Sequence, residues 1–270
     1  MTSTSSPESI PVFGATEAIE HLVAPSLASL PMTLHRTTDA SGSIHLIDGR
    51  SSTWPLAVGA AMRSGAAAVF VLEPSVPELA ALDETIRVAA AVPVGLDLAW
   101  AGNPALEALQ LSESEPVRAV VANGSVGSAC SEDLVSAAVD ALVAVASAMG
   151  RAPALVRFTQ AEWSASASGH WDDVVFRLSM VRSAAVGRSL EISAHGNRLT
   201  RMAQVPDPTT AAPAIITLID ADGTRLQPTV YETSRRAGLR RLADHVRRSE
   251  PTGDLARYRE VIAALEPLQP

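Results

Sequence analysis

The sequence predicts an α/β protein in two parts: a doubly wound parallel-sheet domain over residues 9–110, then a domain over 111–270 built on an open, mostly antiparallel sheet. Three observations carry this. In the first part, short Val/Ile/Leu/Ala runs alternate with helical patterns, which is how parallel strands covered on both faces read. After the Gly/Ser-rich string at 123–128 the rhythm changes, and strand-like runs follow one another across turn signals without helices between them. With 47% hydrophobic and 19% charged residues, the 270-residue chain has material for a sizeable core.

The elements follow in order. Residues 10–13 read as a buried strand, 17–30 as a helix, 32–37 and 43–47 as strands, and 55–64 as a helix. Strand, helix and strand continue at 67–72, 78–91 and 93–98. In the second part, 131–149 is a long apolar helix stopped by Gly150, a C-terminal cap. Strand runs come at 154–159, 173–180, 189–194, 214–219 and 225–231, and Ala221-Asp222-Gly223 joins the last two as a hairpin. Helices at 233–248 and 253–265 close the chain.

Charge narrows the function. All 21 Lys+Arg positions are arginine, so Schiff-base chemistry and a titrating lysine are excluded. A net charge of −8 argues against nucleic acid or an anionic membrane as the main partner. Cys130 is the single cysteine and is expected to be plainly buried. The N-terminus lacks the charged-then-apolar order of a signal peptide, and no apolar run reaches the roughly 20 residues of a membrane span, so a cytoplasmic protein is expected. The arginines at 235, 236, 240, 241, 247 and 248 read as a solvated helix face. No His/Cys cluster has metal-ligand spacing, so no metal is expected.

Several strings resemble the Gfo/Idh/MocA family of NAD(P)-dependent oxidoreductases. Gly14-Ala15-Thr16-Glu17-Ala18-Ile19 stands where that family carries G-x-G-x-x-G/A, and keeps only the first glycine. Asp39 follows the second strand, near the family's ribose-binding acid, but so close to the next strand that it reads as a turn residue. Leu72-Glu73-Pro74 resembles the family's E-K-P with a carboxylate in the place of the lysine. Ala101-Gly102-Asn103-Pro104 resembles R-x-x-P with Ala for Arg. Asp133-Leu134-Val135-Ser136-Ala137-Ala138-Val139-Asp140 resembles D-x-G-x-H-x-x-D, with both acids kept and Ala137 at the histidine. Trp54 lies near the family's TPxxxH string, where its indole is expected to fill cofactor space.

The resemblance implies a Rossmann-like domain followed by a sheet domain that carries the oligomer interface. With the glycines, the lysine and the histidine all replaced, the expectation is a degenerate, shortened member without hydride transfer and without a bound cofactor, acting as a structural or regulatory subunit. Gly14 and Thr16 would then be vestigial cofactor positions. The alternative is an enzyme: either an NAD(P)-dependent oxidoreductase on a sugar-like or polyol substrate, or a non-redox catalyst with Glu73 and Asp133 as acid/base pair. Runs 173–178 and 214–219 are apolar at successive positions, so two apolar sheet faces and assembly with itself or a related subunit are expected.

Overall fold

The computed structural model describes residues 9–109, 116–127 and 134–268. The chain divides into two compact units, one of residues up to Asp97 with Arg235–Ala256, the other of Leu98–Ser234 with the residues from Arg257 onward.

The first unit is a five-stranded parallel sheet of β1 (Ile10–Gly14), β2 (Leu34–Arg36), β3 (Ile44–Asp48), β4 (Ala68–Leu72) and β5 (Val94–Asp97), in the order β2-β1-β3-β4-β5. Helices α1 (Glu17–Ala28), α2 (Trp54–Arg63) and α3 (Leu79–Val88) connect the strands. One face carries Ile10, Val12, Ile44, Leu46, Phe70 and Leu72, packed with Ile19, Val23 and Leu27 of α1. The same cluster takes in Leu239, Leu242 and Ala243 of a helix that arrives from far along the chain, α5 (Ser234–Arg248). Gly95 and Gly238 make room for the Phe70 ring between β5 and α5, since a Cβ at either would press on it. All five residues of β4 are buried, as expected for a central strand covered on both sides.

The second unit is an eight-stranded sheet in the order β13-β12-β11-β10-β6-β9-β8-β7. Its strands are β6 (Val117–Gly127), β7 (Ala154–Ala161), β8 (Ser164–Trp171), β9 (Val174–Ser183), β10 (Ser189–Gly196), β11 (Thr200–Pro206), β12 (Ile215–Asp220) and β13 (Gly223–Leu226). Every neighbouring pair is antiparallel except β6 with β9. Helix α4 (Leu134–Met149) is buried almost all round and ends at Gly150, whose φ of 82° is the left-handed cap expected there. Helix α6 (Asp254–Leu265) closes the chain.

Three strands, β6, β8 and β11, lie outside the runs read as strands in the sequence. The string at 123–127 continues β6, because Gly124 lacks the Cβ that would collide with Met180 and so lets the two strands lie side by side. In β8, buried Ala165 and Ala167 alternate with exposed Ser164 and Ser166, a pattern too weakly apolar to read as a strand.

The expectation of two apolar faces needs correcting. The outer face of this sheet carries a polar row, Thr159, Ser166, Ser179, Asn123, Glu191 and Gln204, in register across six strands. Val156, Val175, Val181, Ile215, Ile219 and Leu226 are the large aliphatic residues exposed on its strands. Among the described residues no helix is long and apolar enough to cross a membrane.

Candidate functional site

In a doubly wound sheet the ligand crevice lies at the carboxyl ends of the strands, where the strand order reverses. Here that point is between β1 and β3. Strand β1 ends at Gly14 and α1 starts at Glu17, with Thr16 as N-cap: its Oγ1 accepts a hydrogen bond from the Ile19 amide at 3.3 Å. The side chain of Glu20 folds over Gly14, where its Cγ lies 2.7 Å from the position of an added Cβ. Glu20 in turn faces Arg36 of β2, whose guanidinium donates to the Glu20 carbonyl at 3.2 Å and lies 3.6 Å from its carboxylate. Asp39 is a turn residue, accepting from the Ser41 amide at 2.9 Å.

The ends of β3, β4 and β5 form the rest of the rim. Asp48 and Arg50 make a two-pronged pair at 2.9 and 2.6 Å; that bond foremost holds the Asp48 carboxyl below its ordinary range and raises the Arg50 guanidinium. The adjacent loops are laced together. Gly49 donates to the Leu72 carbonyl at 2.7 Å, and the Ser75 amide and hydroxyl both donate to the Gly49 carbonyl, at 2.8 and 2.9 Å. A Cβ at Gly49 would lie 2.6 Å from the Leu72 oxygen. Trp54 is 1% exposed and donates its indole N–H to the Ser75 carbonyl at 2.9 Å, which ties the loop after β4 to the residue that opens α2.

Glu73, the residue at the E-K-P position, adopts φ 49°, a left-handed conformation unusual for a side chain of its size. Its carboxylate accepts from Arg235 at 3.2 Å. Arg235 is buried and also donates to Asp97 at 2.7 Å and to the Leu22 carbonyl at 2.8 Å. Burial works against the Arg235 charge, but Asp97 and Glu73 outweigh it and raise its pKa. The other arginines of α5 are paired locally where their bonds are described: Arg241 with Asp254 at 3.0 Å, Arg247 with Asp244 at 2.9 Å and Arg248 with Glu250 at 3.5 Å.

In the second unit, Ala137 is fully buried within α4. Asp140 is buried too, and it receives the Ala99 amide at 2.6 Å, the Trp100 amide at 3.4 Å and Arg188 at 3.3 Å. Arg188 stacks over the Trp100 ring, 4.9 Å from its centre. Desolvation pushes the Asp140 carboxyl up to about 6, against the pull of Arg188 and the amides. This carboxylate ties the turn after β5 to α4, which is a structural task. Asp133 and Cys130 lie outside the described residues. Among the described residues, no group of three or more His, Cys, Asp or Glu could hold a metal ion.

Sequence reasoning placed Gly14, Thr16 and Glu73 on turns at the strand ends, and missed Arg36, Asp97 and Arg235. Arg36 closes an expected strand and was open to notice. Arg235 was read as one of a set of surface arginines, and no local signal separates it from them.

No family model matches the chain, and no curated protein matches it by sequence. Solved structures match it in fold. UDP-N-acetylglucosamine 3-dehydrogenase GnnA from Acidithiobacillus ferrooxidans superposes with a TM-score of 0.75 at 13% identity, covering 95% of each chain. The dehydrogenase MviM from Clostridium difficile gives 0.71 at 8% identity, covering 97% of this chain and 98% of its own. KijD10, a 3-ketoreductase from Actinomadura kijaniata solved with NADP and TDP-benzene, gives 0.69 at 11%, with the same coverages.

The alignments run over nearly the whole of these proteins and lend no support to a shortened or degenerate member. They also correct the expectation of no cofactor, because the fold adopted here is one that holds NADP in KijD10. The expectation rested on the replaced glycines, lysine and histidine, whereas a nucleotide crevice depends as well on strand order and on a helix N-terminus at the reversal, and both are present. The chain shares the fold of Gfo/Idh/MocA-type dehydrogenases and oxidoreductases, at low identity.

Proposed function

We propose that this chain is an NAD(P)-dependent oxidoreductase acting on a hydroxyl or ketone of a sugar-like or polyol substrate. The observation that carries the reading is the β1–α1 turn at the strand-order reversal, in a fold shared with GnnA and with NADP-bound KijD10. Bound there, the nicotinamide dinucleotide would supply hydride exchange.

The residues of the turn fit a dinucleotide. Gly14 lets the backbone come close, and the first amides of α1 face the reversal. Glu20, whose side chain folds over Gly14, stands in the way. It is a half-exposed side chain facing a half-exposed Arg36 at 3.6 Å, a surface pair that costs little to part. Arg36 stands on the strand beside β1, as an arginine does where the 2′-phosphate of NADP is accommodated, and this favours NADP(H) over NAD(H).

Calorimetric titration of the full-length chain with NADPH and NADH, followed by nicotinamide absorbance assays with UDP- and TDP-linked hexoses, free hexoses and polyols, tests the reading. Micromolar binding of NADPH and turnover of at least one sugar are expected. Failure of both dinucleotides to bind below about 1 mM would refute it.

A further inference from the structure

The room that Gly14 leaves at the end of β1 is filled by a neighbour. A Cβ added there would lie 2.7 Å from Cγ of Glu20 and 3.5 Å from its Oε1, so Glu20 occupies the space that the missing side chain opens. The Glu20 backbone is fixed within the first turn of α1, where its amide donates to the Thr16 carbonyl at 3.1 Å. Its side chain is not fixed in the same way: it turns about three single bonds and is 36% exposed. The side chain can therefore leave Gly14 while the helix stays where it is. Glu17, the other acid of this turn, faces solvent and His21 instead.

Arg36 keeps Glu20 in this place through two contacts of different kinds. Its Nη2 donates to the main-chain carbonyl of Glu20 at 3.2 Å, a bond to backbone that does not depend on where the carboxylate points. Its Nη1 lies 3.6 Å from the carboxylate, an ion pair longer than a hydrogen bond between two partly exposed side chains. Arg36 thus stays beside the turn with or without the carboxylate. The carboxylate is the partner that another anion can replace.

Resting on the functional reading above, we propose that Glu20 is a specificity-determining gate: paired with Arg36 it closes the turn at Gly14 against a dinucleotide that lacks a 2′-phosphate, and it opens when Arg36 exchanges its carboxylate for that phosphate. A phosphate monoester carries more negative charge than a carboxylate and accepts both prongs of a guanidinium, so Arg36 prefers it to a carboxylate 3.6 Å away. Glu20, once released, swings toward solvent and uncovers Gly14 and the first amides of α1. A free 2′-hydroxyl gives Arg36 no anion to exchange. Glu20 then stays over Gly14, with its negative charge set against the incoming pyrophosphate. Exclusion by Glu20 adds to attraction by Arg36, and the two are separable.

Calorimetric titration of the full-length wild type and of Glu20→Ala with NADPH and with NADH tests the gate. Glu20→Ala removes both the plug and the ion pair, so NADH should tighten about thirtyfold and NADPH no more than about fivefold. The preference for NADPH then narrows by more than about threefold. If Glu20→Ala does not fold, Glu20→Gln, which keeps the bulk and loses the charge, should narrow it in the same direction, with NADH tightening about tenfold. A preference that stays within about threefold of the wild-type value, or a wild type that binds NADH as well as NADPH, would overturn the gate while the oxidoreductase reading stands. A wild type that binds neither dinucleotide would remove both.

Discussion

Arg235 and Asp97 meet at 2.7 Å although 138 residues separate them in the chain. The pair joins α5, from the late part of the sequence, to the end of β5, and both side chains are withdrawn from solvent. A buried guanidinium left without its carboxylate is a large penalty. Asp97→Ala should therefore lower unfolding free energy by about 3–5 kcal/mol in urea denaturation, whereas Asp48→Ala, at an exposed pair, should cost less than about 1 kcal/mol.

Asp140 gives a pH signature. Its carboxyl titrates near 6 in the folded chain and near 3.8 when unfolded, so between these values the native state binds more protons than the unfolded state. Stability from this group is therefore greatest below pH 4 and falls as pH rises to about 6, by roughly 2–3 kcal/mol. Thermal melts across this range should show the decline in the wild type and lose that component in Asp140→Asn.

Gly49→Ala should cost about 1–3 kcal/mol, because the new methyl would meet the Leu72 carbonyl and the Pro74 backbone, neither of which can swing aside. Gly187→Ala, with open space around it, should be neutral in the same chemical-denaturation assay.

For the dinucleotide, Glu20→Gln should tighten NADPH binding about two- to fivefold by removing negative charge beside the first turn of α1. Arg36→Ala should weaken NADPH about tenfold and leave NADH nearly unchanged. Calorimetry on the two variants checks both signs.

Assembly through the outer face of the second sheet, with a second copy of the chain, is also expected. Val175 and Val181, exposed at 57% and 43%, lie on that face beside the polar row. Light scattering should show a dimer in the wild type and a monomer in Val175→Arg/Val181→Arg.

The sequence by itself determined the elements of the first unit and its alternating order, because apolar runs and cap residues such as Thr16 act over a few residues and do not depend on distant partners. It also put Gly14, Thr16 and Glu73 on strand-end turns. It did not determine β8, whose Ser/Ala alternation carries almost no hydrophobic signal and is held extended by its bonds to β7 and β9. Nor did it determine β6, which none of the expected strands covers and whose Gly124 looks like a turn residue until Met180 is set against it. Tertiary structure alone decided that Arg235 leaves its set of surface arginines for the rim of the parallel sheet. The physical reason is that a charge is buried only where a partner waits, and Asp97, Glu73 and the Leu22 carbonyl are brought to one place by folding, not by their spacing in the chain.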